Sequence, residues 1–566
     1  MTILCGKNSF LKNKILNLPL LKEKSIYEDN DILILNNRDE NHSDILIGSN
    51  TNCVFVAEGN ILKKIHSPFQ MGDDIDIWNH LEGYFNLLVW DKIKKRGIFV
   101  NDKLGLNPLY YTIIGNSMAI STRLRDLLNL TGAEKQIDTI ALSQFALFNY
   151  FLGSRTFIKG INRLEPGTVL KWEDGKITHE RYWDAGNIIK EEPLLEEEAK
   201  EKISEMLHKV ISEWILGKKR IGILLSGGYD SRAILACLCK MGIKGYAYTW
   251  DNPKIKEMGV AKRLAERTGF SLKYLPFYPP IELTAELIYE AERKTDFLFP
   301  FFHIGRFYAV KIIGNEVDVL FSGQGELIRA TPLPNDYINK NTISWILKQN
   351  TSTTAGKTHF FNLSDETTKI AFDDSIYKDF RTYEKLTLFL LYNAYRNDYG
   401  ILRYGEGRFT TVVMPFLDAR IIEILLKSPI SLARLKSWNK NLITTFKNRN
   451  MYFEIIRKNA PELLEIPLDR GYKPKYDNCY LGILFTIIWG LRETLSSKII
   501  KVSISPWENF MKNLLSEKSI FTREFYDQKK ILKSLRKNKP WEPTEAYELE
   551  KVARFELWLR SFIENR

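Results

Sequence analysis

Cysteine is scarce in this chain, and the few present do not pair by spacing. Five occur in 566 residues: Cys5, Cys53, Cys237, Cys239 and Cys479. The odd number and the lack of any Cys-x-x-Cys spacing argue against a disulfide framework and a zinc finger, and point to a reducing compartment. Cys237 and Cys239 fall inside a predicted helix, where thiols act as small apolar residues. Long apolar runs are missing too. The longest, Tyr480 to Leu491, is too short to span a bilayer; it reads as a buried helix, with a membrane-surface role as the second option. The opening Met-Thr-Ile-Leu-Cys-Gly lacks the apolar region of a secretory leader, so a cytoplasmic location is expected. There is no internal repeat, no low-complexity tract and no long basic block. The net charge of +12, from 81 basic and 69 acidic residues, is spread along the chain. The short clusters Lys94-Lys95-Arg96 and Lys218-Lys219-Arg220 flank predicted strands and read as solvated faces, so no nucleic-acid partner is expected. The basic excess suits an anionic substrate.

What is there is an ordinary globular composition, 44% apolar and 27% charged, long enough for more than one domain. To residue 185 the chain reads as β-rich. Short apolar runs such as Ile32–Leu35, Ile45–Ile47 and Cys53–Val56 alternate with Gly, Asn and Asp clusters. Strand–turn–strand patterns follow over 82–111 and 161–184. Residues 185–200 read as an acidic connector. Helical spacing of Ile203, Met206, Leu207, Val210, Ile211 and Trp214 comes next. Strands near 244–249, 272–276 and 317–321 then alternate with helices near 257–268 and 281–313, which implies a parallel sheet. Beyond 380 the pattern is mainly helical, ending in an amphipathic helix over Glu548–Phe562. The polar stretch 330–365 reads as either a lid or a mobile loop.

One run carries the chemistry. Ile221-Gly-Ile-Leu-Leu-Ser-Gly-Gly-Tyr-Asp-Ser-Arg-Ala233 joins an apolar strand to a helix through a Ser-Gly-Gly turn. The glycines permit a tight turn and close backbone approach. Leu225, Ser226, Gly227, Gly228 and Ser231 then form an anion cradle at a helix N-terminus. Asp230 would repel a bare phosphate and is read as a magnesium ligand bridging phosphate oxygens. The spaced Gly-Lys-Ser/Thr ending of a Walker loop is absent. A second glycine turn, Ser322-Gly-Gln-Gly-Glu326, ends the strand at 317–321. Ser322 and Gly323 join the nucleotide site, and so does Thr249, because ligands on such sheets bind at the carboxyl ends of strands.

These motifs resemble the asparagine synthetase family, which pairs a glutaminase-type domain with an ATP-pyrophosphatase synthetase domain. The resemblance runs from residue 1 to 475 and is carried by Ser226–Ser231, Ser322–Glu326, Pro415-Phe-Leu-Asp418, Asn107-Pro-Leu-Tyr-Tyr111, Glu165-Pro-Gly167 and Arg181-Tyr-Trp-Asp184. It implies an N-terminal β-rich sandwich of the Ntn-hydrolase type over 1–185. It also implies a C-terminal parallel-sheet α/β ATP-pyrophosphatase domain with helical additions over 195–566. The implied activity is an ATP- and magnesium-dependent, AMP-forming carbon–nitrogen ligase. It adenylates a carboxylate, by default aspartate, for attack by ammonia or another amine. Relatives of the β-lactam synthetase and lasso-peptide cyclase types, which also lack a glutaminase cysteine, keep a cyclising, peptide or glycan amide synthetase open. A non-catalytic nucleotide-binding relative and a tRNA-modifying adenylating enzyme stay open as well. A homodimer is compatible with the sequence.

The departures matter as much. The family's nucleophile is an N-terminal cysteine; Thr2 stands in that slot here. Glu58-Gly59 replaces the family's Asn-Gly, and no Arg-Gly-Pro-Asp run occurs. A poorer nucleophile and a lost glutamine site lead to the expectation of an inactive glutaminase domain. In the second turn Gln324 replaces a Glu or Tyr and cannot act as a general base. Glu326 is the nearest carboxylate for the metal, beside Asp230. The family's catalytic lysine maps to the stretch Ile466–Lys475, with Arg470 as the first candidate cation and Lys473 as the second. Arg232 replaces the second serine of the turn. It either reaches a phosphate or substrate carboxylate or lies on a surface helix.

Overall fold

A computed structural model describes residues 1–6, 25–36, 45–62, 76–131, 135–251, 256–296, 298–325, 360–363, 370, 383–434, 441–478, 484–485, 506–537 and 540–564. Among these residues twelve strands occur before residue 182: β1 (Thr2–Cys5), β2 (Ser25–Glu28), β3 (Ile32–Leu35), β4 (Ile45–Ser49), β5 (Cys53–Ile61), β6 (Gly83–Asp91), β7 (Arg96–Asn101), β8 (Tyr110–Ile114), β9 (Ser117–Ser121), β10 (Asn162–Arg163), β11 (Thr168–Glu173) and β12 (Lys176–Arg181). They form two six-stranded sheets, ordered β10-β8-β9-β1-β3-β2 and β12-β11-β7-β6-β5-β4. Neighbours within each run antiparallel.

Period-two alternation decides which side chains meet between these sheets. Ile3 and Cys5 of β1, Ile32 and Ile34 of β3, Val54 and Val56 of β5, and Leu88 and Trp90 of β6 share one core. The intervening Leu4, Leu33, Leu35, Phe55, Ala57, Leu87 and Val89 enter the larger core on the outer faces. That explains why β6 is apolar at nearly every position: both its faces are covered.

The second half holds a five-stranded sheet of β13 (Ile221–Leu224), β14 (Tyr246–Trp250), β15 (Ser271–Leu275), β16 (Val319–Phe321) and β17 (Thr411–Val413), ordered β15-β14-β13-β16-β17. Every pairing is parallel. The helices that bear on the site are α1 (Glu196–Ile215), α2 (Asp230–Lys240), α3 (Lys256–Thr268), α4 (Ile281–Thr295), α5 (Ile304–Ile313), α6 (Arg396–Glu406), α7 (Ala419–Lys427), α8 (Asn441–Asn459) and α9 (Pro543–Trp558). The chain is therefore a mixed protein, with antiparallel sheets first and a parallel α/β sheet after. Strand order reverses between β13 and β16, and such a switch point opens a crevice at the carboxyl edge.

The two halves are joined by buried polar contacts. The Tyr84 hydroxyl lies 3.2 Å from the Met414 carbonyl, Arg163 donates to Asn397 at 2.8 Å, and the Trp183 indole donates to Glu423 at 2.7 Å. Lys103, paired with Glu82 at 2.8 Å within the first half, also lies 3.5 Å from Glu423 of the second.

Two elements differ from the sequence expectation. The acidic connector contains a short helix, Ala185–Lys190, because the Asp184 side chain accepts from the Gly186 N–H and caps it. The terminal helix begins earlier, at Pro543, and is not amphipathic. Glu550, Lys551, Arg554 and Glu556 are all buried. Pairs such as Lys551–Glu548 at 2.6 Å and Arg560–Glu556 at 2.8 Å neutralise charges that would otherwise bar burial. Glu326 and Cys479 lie outside the described residues. So do the 330–365 segment, apart from 360–363, and the apolar run Tyr480–Leu491, apart from Leu484 and Phe485.

Candidate functional site

β13 ends at Leu224 and the chain turns at once. Leu225 keeps one sheet bond, its N–H donating to the Tyr248 carbonyl at 2.8 Å. The turn is then closed from within. The Ser226 N–H donates to the Ser231 hydroxyl at 3.1 Å, the two serine hydroxyls lie 3.1 Å apart, and the Gly228 N–H reaches the Ser226 hydroxyl at 3.3 Å. Helix α2 starts at Asp230 with Tyr229 as N-cap and no side-chain capping bond. The first N–H groups of any helix have no partner within the helix, which is why helix N-termini suit anions.

Both halves of the turn are pressed from outside. A Cβ on Gly227 would come 2.8 Å from the Asp469 Cβ and 3.3 Å from the Glu257 Cα. Only glycine lets the start of α3 and the 466–470 segment close on this turn. The second turn is fitted as tightly. A Cβ on Gly323 would lie 2.8 Å from the Ser231 nitrogen and 2.9 Å from the Asp230 Cβ. Gly325, at φ +129°, meets Phe416 in the same way. Pro415-Phe-Leu-Asp418 therefore has a physical task. Its Phe416 backs the second turn, while the Asp418 side chain caps α7 through the Arg420 N–H.

Between the turns lies a cleft of about 220 Å³, lined by Leu224, Leu225, Ser226, Asp230, Ser231, Tyr248, Thr249, Trp250, Leu275, Arg306, Ser322, Gly323 and Gln324. Eight of the residues singled out from sequence meet here: Leu225, Ser226, Asp230, Ser231, Thr249, Ser322, Gly323 and Gln324. Gly227 and Gly228 shape the turn without lining the cleft. Asp230 accepts a hydrogen bond from Tyr452 of α8 at 2.5 Å. The Oε1 of Gln324 is buried without a hydrogen-bond partner among the described residues.

Arg232 turns away from the cleft. It is fully buried, and its guanidinium donates to the carbonyls of Leu463, Ile466 and Pro467 at 3.1, 2.6 and 3.2 Å. The reason is that α2 is buried from Ser231 to Leu238, so position 232 faces protein rather than solvent or ligand. Burial lowers its pKa to about 10, against the pull of Asp469. Arg232 instead braces the segment carrying Asp469 and Arg470 against the Ser226–Ser231 turn. Arg470 lies beside Asp469, its Nε 4.0 Å from the carboxylate. Lys473 reaches outward to Glu465 at 3.1 Å. Neither lines the described cleft.

Thr2 sits in the middle of a sheet, 1% exposed, with its hydroxyl 2.7 Å from that of Ser121. Glu58 is equally buried. It accepts from Thr122 at 3.2 Å and pairs with the Met1 amine at 2.9 Å.

Sequence reasoning missed Tyr248, Trp250, Leu275 and Arg306 in the cleft wall. The first three were accessible in principle from the carboxyl-edge rule applied to β14 and β15. Arg306 and Tyr452 carry no local signal, since tertiary packing alone brings α5 and α8 to the cleft. Among the described residues no group of three His, Cys, Asp or Glu side chains is placed to hold a metal. Asp230 alone fits magnesium in its usual mode, one or two carboxylates completed by substrate phosphates and water. No described helix is long and apolar enough to cross a membrane.

Fold and cleft define the class: an antiparallel two-sheet sandwich joined to a parallel α/β domain with paired glycine turns at its switch point. Residues 61–183 match the glutamine amidotransferase domain family, and residues 202–351 match the asparagine synthase family. The glutamine-hydrolysing asparagine synthetase 1 of Bacillus subtilis is 26% identical over 194 residues, 33% of this chain and 30% of the relative. A putative glutamine-hydrolysing asparagine synthetase of Mycobacterium bovis is 24% identical over 287 residues, 47% and 43% of the two chains. The amidase chyE of Penicillium rubens is 26% identical over 172 residues, 29% and 25%. Over these spans the chain is similar to asparagine synthetases at low identity. Its matches span less than half the length of each of these relatives.

Proposed function

We propose that the cleft binds ATP and that the chain is an ATP-dependent, AMP-forming amide ligase. The observation that carries this reading is the fit of the two glycine turns, Gly323 touching Asp230 and Ser231 too closely for any side chain. Two N–H-rich turns meeting at one switch point suit a triphosphate lying across both.

In this reading a substrate carboxylate oxygen attacks the α-phosphorus. The bond from that phosphorus to the bridging oxygen breaks, and pyrophosphate leaves into the turn over 226–231. An amine then attacks the acyl carbon of the adenylate, AMP departs, and an amide remains. Ser226, Ser231 and the N-terminal end of α2 hold the leaving group, and Gly323 keeps the turns in register. Most of the rate enhancement is positioning and charge stabilisation. Asp230, with Tyr452 fixing its rotamer, would hold magnesium, which supplies charge neutralisation on the phosphates when bound; Glu326 is the second proposed ligand. Arg470 is the first proposed cation for the developing charge and Lys473 the second. Gln324 stays neutral and contributes an acceptor rather than a base.

Glutamine hydrolysis is not part of the proposed activity. The Thr2 hydroxyl is enclosed beside Ser121, and Glu58 stands where the family has its Asn. The nitrogen then comes from free ammonia, with aspartate as the default acid, or from an amine on the substrate itself. Isotope exchange between pyrophosphate and ATP, driven by a panel of carboxylates with aspartate in it, tests the activation step. Exchange that depends on a carboxylate and on Asp230 supports it. ATP binding without exchange across the panel would support a non-catalytic relative.

A further inference from the structure

The cleft contains one charged side chain that the reading above leaves without a task. Arg306 projects from the first turn of α5 into the wall beside Ser322. Its side chain is only 13% exposed, and behind it stands Glu406, the last residue of α6, with a side chain fully buried. Arg306 donates to the two carboxylate oxygens of Glu406 from Nε at 2.5 Å and Nη2 at 2.9 Å. That bidentate contact fixes the guanidinium plane.

The opposite edge of the guanidinium is poorly used. Nη1 and Nη2 converge on the single Ser322 hydroxyl at 3.4 and 3.3 Å. Both distances exceed the usual range for N–H···O bonds, so these contacts yield readily to a better acceptor. A guanidinium carries five N–H groups. Nε uses one, Nη2 two and Nη1 one, so one Nη1 hydrogen has no partner among the described residues. A cation held rigidly from behind, with spare donors turned to a cleft, is preorganised for an anion that arrives from the cleft.

Which anion follows from the order of groups along the cleft. The pyrophosphate end belongs to the 226–231 turn and the start of α2. Gly323 touches the first turn of α2, and Ser322 is its neighbour in the chain. The next anionic group along a nucleotide is the α-phosphate, which this places beside Ser322, within the span of Arg306. Resting on the proposed nucleotide cleft, we infer that Arg306 is an α-phosphate-contacting residue: it displaces its weak bonds to Ser322 onto a non-bridging oxygen of that phosphate while Glu406 holds it in place. In the adenylation step the same contact strengthens as charge grows on the equatorial oxygens.

The test compares AMP with adenosine by titration calorimetry on the full chain. Arg306→Met alone would strand the buried Glu406 carboxylate, so the double variant Arg306→Met/Glu406→Gln is used, with Arg306→Lys beside it and thermal unfolding to confirm that both fold. The wild type should bind AMP more tightly than adenosine. The double variant should lose AMP affinity by about tenfold to a hundredfold, the worth of a charge-assisted hydrogen bond, while adenosine affinity stays within about twofold. Arg306→Lys should fall between, since an ammonium keeps the charge and loses the fork. If AMP and adenosine weaken together, or neither changes, the assignment of Arg306 is overturned while the nucleotide cleft stands. If the wild type binds neither, the nucleotide reading fails and takes this inference with it.

Discussion

Gly323→Ala is the sharpest structural perturbation of the cleft. The added methyl would lie 2.8 Å from the Ser231 nitrogen, 2.9 Å from the Asp230 Cβ and 3.1 Å from the Asp230 carbonyl carbon. These atoms belong to the backbone and first turn of α2, not to the free end of a flexible side chain. Comfortable carbon contacts need about 3.5–4.0 Å, so the second turn must retreat from α2 by about 0.6–1 Å. Overpacking of this kind costs about 1–3 kcal/mol of stability. The larger effect is on function, because a misplacement of about 1 Å in a positioned site costs about a hundredfold in rate. Gly228→Ala is the matched control. Its methyl meets only the Ser226 hydroxyl oxygen, at 3.5 Å, an ordinary contact. Titration of magnesium-ATP with both variants, with thermal unfolding alongside, reads the outcome. Gly323→Ala should weaken ATP binding at least about tenfold and lower the melting temperature, and Gly228→Ala should leave the melting temperature unchanged. Wild-type ATP affinity and stability in Gly323→Ala would refute the claim that the two turns must touch.

Arg232→Met should destabilise the fold by about 3–5 kcal/mol, since it leaves the Leu463, Ile466 and Pro467 carbonyls without their shared donor, and Arg232→Lys should restore only part of this; chemical denaturation measures both. Asp477 gives a pH signature. It is buried, accepts from Tyr229 and has its pKa raised from 3.8 to about 7 by burial. Between those values the unfolded chain releases a proton that the native state keeps. Stability is therefore greatest below the unfolded pKa and falls as pH rises toward 7, by on the order of 1 kcal/mol per pH unit for this group. Asp477→Asn should flatten that part of the stability–pH curve, as followed by denaturant melts from pH 4 to 8.

Much of this architecture was legible in the sequence because single-residue patterns controlled it. The short apolar runs at β3, β4 and β5 marked the first half as β-rich, the family resemblance implied its sandwich, and strand–helix alternation after Ile221 implied the parallel sheet. The Ser226–Ser231 turn was readable because hydroxyl, paired glycines, acid and a second hydroxyl follow one another between an apolar strand and a helix. Arg232 shows where such reading stops. Nothing local indicates that α2 is enclosed on the side of residue 232, so an arginine there looks like a ligand or a surface residue. The burial of α9 was hidden for the same reason: its glutamates pair with Lys551 and with Lys537, Arg523 and Arg560 beyond the helix, and a charged helix in sequence gives no hint of pairing inside a core. Arg306 needed two further helices to be placed before its position had meaning.

The central claim is that this cleft splits ATP between its α- and β-phosphates to activate a carboxylate. Phosphorus NMR of the products from ATP, magnesium and a small-molecule metabolite extract tests it most directly, with Asp230→Asn run in parallel. AMP and pyrophosphate should form in equal amounts with the wild type, and neither with the variant. ADP and phosphate as the only products, or equal AMP from the Asp230→Asn protein, would contradict it.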